Sequence, residues 1–209
     1  MPFGFLSCFS APQVSCESRS LVELCHRVSA LLRDAERRSQ EKLDEGRAKL
    51  QPQRAPSNTI HRPLHQLMAA AVELRLLSLL PPLLDDLRLT APRLFARDPP
   101  VLAPESEPGL SSLVFIAARL KDFAELQALA GALSQLLGSD WALEAANEKL
   151  CHARGVPRDL VRLVTSPRVR SRLLSEALGG AEPMSLICRE NLDSAESSPV
   201  RPGDRRMST

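Results

Sequence analysis

Between positions 113 and 137 apolar residues recur at intervals of three and four. Leu113, Ala117, Leu120, Leu126, Leu129, Leu133 and Leu136 carry the repeat, with Ala130 and Leu137 beside it. That interval is one turn of an α-helix, so the spacing lays one apolar stripe along a helix. A helix striped in this way must bury the stripe against another element. The same period returns over residues 167–178. Ser166 suits a helix N-cap, Pro167 suits the first helical position, and Gly179-Gly180 ends the run. Val169, Leu173, Leu174, Ala177 and Leu178 are expected to face inward. Leucine and alanine do the packing. Aromatic residues make up 3% of the 209-residue chain, and tyrosine is absent. A β-sandwich draws on valine, isoleucine, threonine and tyrosine, so the composition points to an all-α fold.

Upstream, residues 20–50 read as a first long helix with Leu21, Leu24, Val28, Leu31, Leu32 and Ala35 on its inner face. Beyond Ala35 the stripe thins to Leu43 and Leu50, and mixed charges at helical spacing take over. Such charges usually form a solvated face supported by i,i+4 pairs such as Asp34 with Arg38. Pro52 and Pro56 break the chain. A second helix starts near Ile60, capped by Asn58 or Thr59, and is apolar nearly all round from Leu64 to Leu80. A helix of that kind is buried on several sides. Pro81-Pro82 should kink or end it, because neither residue has an N–H to give. Asp85-Asp86 marks its emergence into water. Residues 90–109 hold five prolines and read as the internal linker. A helix over 140–153 follows, capped by Ser139 or Asp140, with Trp141, Leu143 and Leu150 packing. A short helix runs from Val156-Pro157 through Val164. Residues 1–18 read as a flexible N-terminus, 19–180 as one helical domain, and 181–209 as a polar, disordered tail.

Little in the chain is suited to chemistry. There is no glycine-rich phosphate loop, no G-x-S-x-G elbow and no H-E-x-x-H pattern; Arg62 stands where that glutamate would follow His61. Cys25-His26 and Cys151-His152 are adjacent on helices and so point about 100° apart, which separates a nucleophile from its base. The five cysteines form no C-x-x-C pair and read as free thiols in a reducing compartment. No enzyme activity, cofactor or metal is expected. A net charge of +2, with no aromatic residues among the basic positions, also argues against nucleic acid. MPFGFLSCFS lacks the features of a secretory leader, and no run reaches the ~18 consecutive apolar residues of a transmembrane helix.

Two basic groups are candidate contacts for anionic lipid or acidic partner helices. One is Arg27, Arg33, Arg37, Arg38 and Lys42, with Arg47 and Lys49 behind them. The other is Arg158, Arg162, Arg168, Arg170 and Arg172. The alternative for both is a solvated helix face. Phe3, Phe5, Leu6 and Phe9 form an apolar N-terminal cluster, a candidate for membrane insertion or for a cover on the core.

One stretch carries a resemblance. Ser111, Ser112, Leu113, Val114, Phe115, Ile116, Ala117, Ala118, Arg119 and Leu120 are followed by Glu125-Leu126. Later come Leu160, Val161, Leu163 and Pro167, and then Ser175-Glu176-Ala177. In this the chain resembles the Increased Sodium Tolerance family of ESCRT-III-like proteins. Ala118 stands where many members have proline, and the first helix is less purely basic than theirs.

The resemblance implies an antiparallel two-helix hairpin with shorter helices packed on it. It further implies a non-enzymatic adaptor or regulator of multivesicular-body protein sorting, cytoplasmic and peripheral on endosomes, that binds helical tails of ESCRT-III subunits. It raises the membrane-inserting reading of the N-terminus. Members that recruit the AAA ATPase of this pathway end in a helix that binds MIT domains. Here Met184, Leu186, Ile187 and Leu192 form no long stripe, so direct MIT binding by the tail is not expected. A second expectation stays open beside the adaptor: a cytosolic helical scaffold without polymerisation or direct ATPase recruitment.

Overall fold

Leucine and alanine at helical period build helices throughout. The structure is a computed structural model and describes residues 16–50, 61–94 and 102–179. Among these residues there is no β-strand. In chain order the helices are α1 (Cys16–Leu50), α2 (His61–Leu77), α3 (Leu80–Leu94), α4 (Glu107–Ala117), α5 (Ala124–Leu137), α6 (Ser139–Ala146), α7 (Arg158–Thr165) and α8 (Pro167–Ala177), with a 3-10 turn at Cys151–Arg154. The expected caps Asn58 and Thr59, residues 1–15 and the tail from 180 onward lie outside the described residues.

α1 runs antiparallel to α2 and α3. Gly46 meets Leu67, Lys42 reaches Glu73, and Ser29 accepts from Arg88 at 2.6 Å. Numbers that rise on one side fall on the other. The buried face of α1 is Leu21, Cys25, Val28, Leu32, Ala35, Ser39, Leu43 and Gly46, with Leu24 and Leu31 only half-buried. The expected thinning after Ala35 is therefore a change of residue size, not of burial. Ser39 and Gly46 are small because α2 passes close: a Cβ on Gly46 would sit 2.9 Å from Leu67 Cδ1.

The Pro81-Pro82 pair breaks the second helix as its chemistry requires. α2 ends at Leu77, Ser78-Leu79 forms a turn, and both prolines fall in the first turn of α3, where no N–H is needed. The span 62–94 is long and apolar enough, by length and composition, to cross a membrane; here it is two helices lying against α1.

Several expected boundaries move. α3 continues through Thr90 and Pro92 to Leu94, which is buried, so the linker does not begin at 90. α4 starts at Glu107 with Pro108 in its first turn. The stripe from Leu113 to Leu136 is not one helix: residues 118–123 form a turn between α4 and α5. Side chains replace the missing helix hydrogen bonds there. Gln127 donates to Ala117 O at 2.6 Å and to Leu120 O at 3.1 Å, and Arg119 donates to Phe115 O at 2.8 Å. The expected helix over 140–153 is α6 followed by the 3-10 turn, and Leu143 and Leu150 are exposed rather than packed. Ser166 has N-cap backbone geometry, but its side chain makes no capping bond, and no side-chain cap bond forms at α6. In α8, Leu174 and Ala177 are buried, while Val169 and Leu173, and Leu178 just beyond its end, are half-buried.

α4 is the centre of the main core. Every residue from Leu110 to Ala117 is buried, against α3, α5 and α6. A second, smaller core joins Leu43 of α1, Leu67, Ala70 and Ala71 of α2, and Leu174 and Ala177 of α8. The alanines of α2 let α8 come in close, and Arg47 donates to Ala177 O to hold its end.

Candidate binding groove

α2 carries more apolar surface than α1 and α8 cover. Met68 and Val72 are half-buried and Ala69 is exposed, one turn apart on one face, with Leu76 and Leu77 buried at the end of the same face. These residues floor a groove of about 620 Å³. From His65 to Leu77 the floor is roughly 18 Å long at about 1.5 Å per residue, some three turns of helix. Ala35, Arg38 and Lys42 of α1 line it, as do the turn 119–123, Val164 of α7 and Arg170 of α8.

The apolar floor has a charged rim. Lys42 pairs with Glu73 at 3.2 Å across the α1–α2 junction. Among the described residues, Arg38, Lys121 and Arg170 have no carboxylate within ion-pair distance, and Asp122 has no cation within that distance. The Nε of Arg170 is buried without a hydrogen-bond partner. Arg119 is committed to the fold. Its side chain is 15% exposed, lies 3.4 Å over the Phe115 ring, and donates to Phe115 O, Ala146 O and Glu148. Burial lowers its pKa, against the pull of Glu148.

A second groove of about 700 Å³ lies between the α2–α3 bend and α7–α8, lined by Leu79, Leu83, Leu160, Val169 and Leu173. Two cations line it, Arg75 and Arg172, and Arg172 is paired with Glu176 at 3.0 Å.

The fold brings together only some of the candidate contacts. Arg38, Lys42 and Arg170, from opposite ends of the sequence, meet at the first groove. Arg27 and Arg33 are exposed on α1. Arg37 pairs with Asp34, Arg47 with Asp44 and Lys49 with Glu45. Arg158 and Arg168 are exposed, and Arg162 lies 3.7 Å from Asp159. Phe3, Phe5, Leu6 and Phe9 lie outside the described residues. Sequence reasoning missed Lys121, Asp122 and Phe123 as groove residues. Their signal was the gap from Leu120 to Leu126, where the three-four repeat skips.

The described residues hold no group of three histidine, cysteine or acidic side chains able to bind a metal ion. Cys25 is fully buried and His26 exposed, and burial pushes the Cys25 thiol up to about 11. Burial also raises Cys151. Neither thiol is activated; a nucleophilic cysteine has its pKa lowered. No family model, no curated protein and no solved structure matches this chain. The resemblance to the Increased Sodium Tolerance family rests on the residues that carry it.

Proposed function

We propose that this chain is a non-enzymatic adaptor of the ESCRT-III-like, Increased Sodium Tolerance type. It acts in endosomal multivesicular-body protein sorting and membrane remodelling, in the cytoplasm and peripherally on endosomes, and it captures a helix of an ESCRT-III subunit. The observation that supports this most is the apolar face of α2 at Met68, Ala69 and Val72, which no described residue covers and which is walled by α1 and by the 119–123 turn. Helix-in-groove recognition needs such a face, with anchors of the incoming helix at i, i+3, i+4 and i+7. A floor of some three turns accommodates that set.

The scaffold reading is kept because of α1. Its cations Arg37, Arg47 and Lys49 are each tied to a carboxylate one turn away, which leaves less free positive charge for an anionic membrane. Binding of the purified chain to the C-terminal helices of ESCRT-III subunits tests the adaptor reading, with Val72→Asp as the groove-blocked control. Micromolar binding lost in the variant is expected, with a cooperative thermal transition retained at a lower midpoint, since Val72 is half-buried. No binding to any of these helices leaves the scaffold reading.

A further inference from the structure

The groove along α2 has an imbalance of charge that the fold itself does not resolve. Lys42 is answered by Glu73, and Arg119 is used up by backbone carbonyls and Glu148. Among the described residues, what remains at the rim is Arg38, Lys121 and Arg170 against the carboxylate of Asp122. The three cations come from three separate elements: α1, the turn after α4, and α8. Positive charge therefore surrounds the floor instead of forming one stripe along one helix, as a merely solvated face would.

We infer that this groove selects a helix whose apolar stripe is flanked by carboxylates, and that Arg38, Lys121 and Arg170 make the selection. The inference rests on the adaptor reading for the presence of a helical occupant; its charge is argued from the rim. A small free anion would answer the cations but leave the apolar floor, three turns long, uncovered. A bilayer surface would meet Arg38, yet it cannot reach a floor recessed between helices. A basic helix would bring like charges to a rim that already has an excess of them, and juxtaposed like charges are what discriminates against wrong partners. An acidic amphipathic helix meets both demands. Its apolar side fills the floor, and its flanking carboxylates answer the rim cations Arg38, Lys121 and Arg170, which have no carboxylate partner among the described residues.

The level of the charges follows from the antiparallel register. Lys42 stands opposite Glu73, so Arg38, one turn earlier on α1, stands near Leu76 and Leu77, where α2 ends. At that end of the groove, against the α2–α3 bend, Arg38 therefore calls for a carboxylate of the occupant.

Two synthetic 15-residue amphipathic helices test this. They share one leucine stripe and carry glutamate flanks in one peptide and lysine flanks in the other. Binding to the full chain is measured by fluorescence anisotropy at low and high salt. The glutamate peptide is expected to bind roughly tenfold more tightly at low salt, with the advantage shrinking as screening rises. The double variant R38E/K121E, at two exposed positions, is expected to abolish or reverse the preference without lowering the melting temperature. Equal affinities, or a preference unchanged in the double variant, would overturn the charge selection and leave the groove as a site for helices. If neither peptide bound, or if binding ignored Val72→Asp, the adaptor reading would fall with it. Pelleting on phosphatidylserine vesicles that is lost in the double variant, together with no peptide preference, would overturn the inference by assigning the rim to membrane.

Discussion

Arg119 is the side chain whose removal should cost this fold most for its position in the sequence. It stands at the break between α4 and α5, and its guanidinium does three jobs. It accepts the role of cap for α4 by donating to Phe115 O at 2.8 Å, ties on α6 by donating to Ala146 O at 2.9 Å, and stacks 3.4 Å over the Phe115 ring. A charged donor to a carbonyl contributes roughly 1.5–3 kcal/mol, and the cation–π contact about 0.5–2 kcal/mol. Against these stands the burial of the cation, seen in its lowered pKa and in an Nε without a partner. The opposing terms leave a net loss of about 3 kcal/mol for Arg119→Ala, chiefly from two carbonyls left without a donor. For a chain of this length that lowers the melting temperature by roughly 6–12 °C.

Urea denaturation followed by circular dichroism measures the loss, and two companion variants locate it. Arg119→Lys keeps the charge and the donors but loses the planar guanidinium that lies over Phe115, so it should lose about half as much. Glu148→Gln removes the ion pair at 3.3 Å, whose carboxylate is 51% exposed, and should cost less than about 0.5 kcal/mol. If Arg119→Ala cost less than Glu148→Gln, the ion pair and not the bonds to the carbonyls would be holding the turn, and the reasoning would be refuted.

Other expectations follow from burial and close approach. Leu129 is fully buried and Leu173 only half-buried, so Leu129→Asp should abolish the cooperative thermal transition while Leu173→Asp only lowers its midpoint; equal losses would contradict the assigned faces. Gly46→Val puts branched bulk where a Cβ already sits 2.9 Å from Leu67 Cδ1 and should cost about 2 kcal/mol in chemical denaturation, whereas Gly46→Ala regains about 1 kcal/mol of helix propensity and should stay near neutral. Cys25 gives a pH dependence with a definite sign. Its folded pKa, about 11, lies above the ordinary value of 9.0, so above pH 9 the unfolded chain loses this proton before the folded one does. Its contribution to stability is complete below pH 9 and is lost as pH rises towards 11; Cys25→Ser should flatten that limb, and an unchanged limb would show that other groups cause it.

Most of the fold was legible because helical period and proline act locally. Leu21, Val28 and Leu32 declared the inner face of α1, and Pro81-Pro82 declared the bend from the missing N–H groups alone. What escaped was set by contacts distant in sequence. Ser39 and Gly46 look like interruptions until α2 is seen pressing on them. The turn at 118–123 was hidden inside an apparent stripe, because Gln127 and Arg119 supply from elsewhere the hydrogen bonds whose loss normally forbids a break. Leu143 and Leu150 kept a packing residue's chemistry while the 3-10 turn left them in water.

The groove was the least legible feature, for a reason that lies in α2 itself. An apolar helix announces that it needs cover on every side, but periodicity cannot say which neighbour supplies each side. α1 takes one side through Gly46 and Leu43. α8 takes another because Ala70 and Ala71 are small enough for Leu174 and Ala177 to approach. Among the described residues, nothing else arrives over Met68, Ala69 and Val72 except the rim of the groove. Arg38 and Arg170 are more than a hundred residues apart in the chain, and only the landing of α8 on those alanines puts them at one site. The positive rim is thus a consequence of where α8 packs, so weakening that packing, as Ala71→Leu would, should disturb the groove's charge preference before it disturbs the main core around α4.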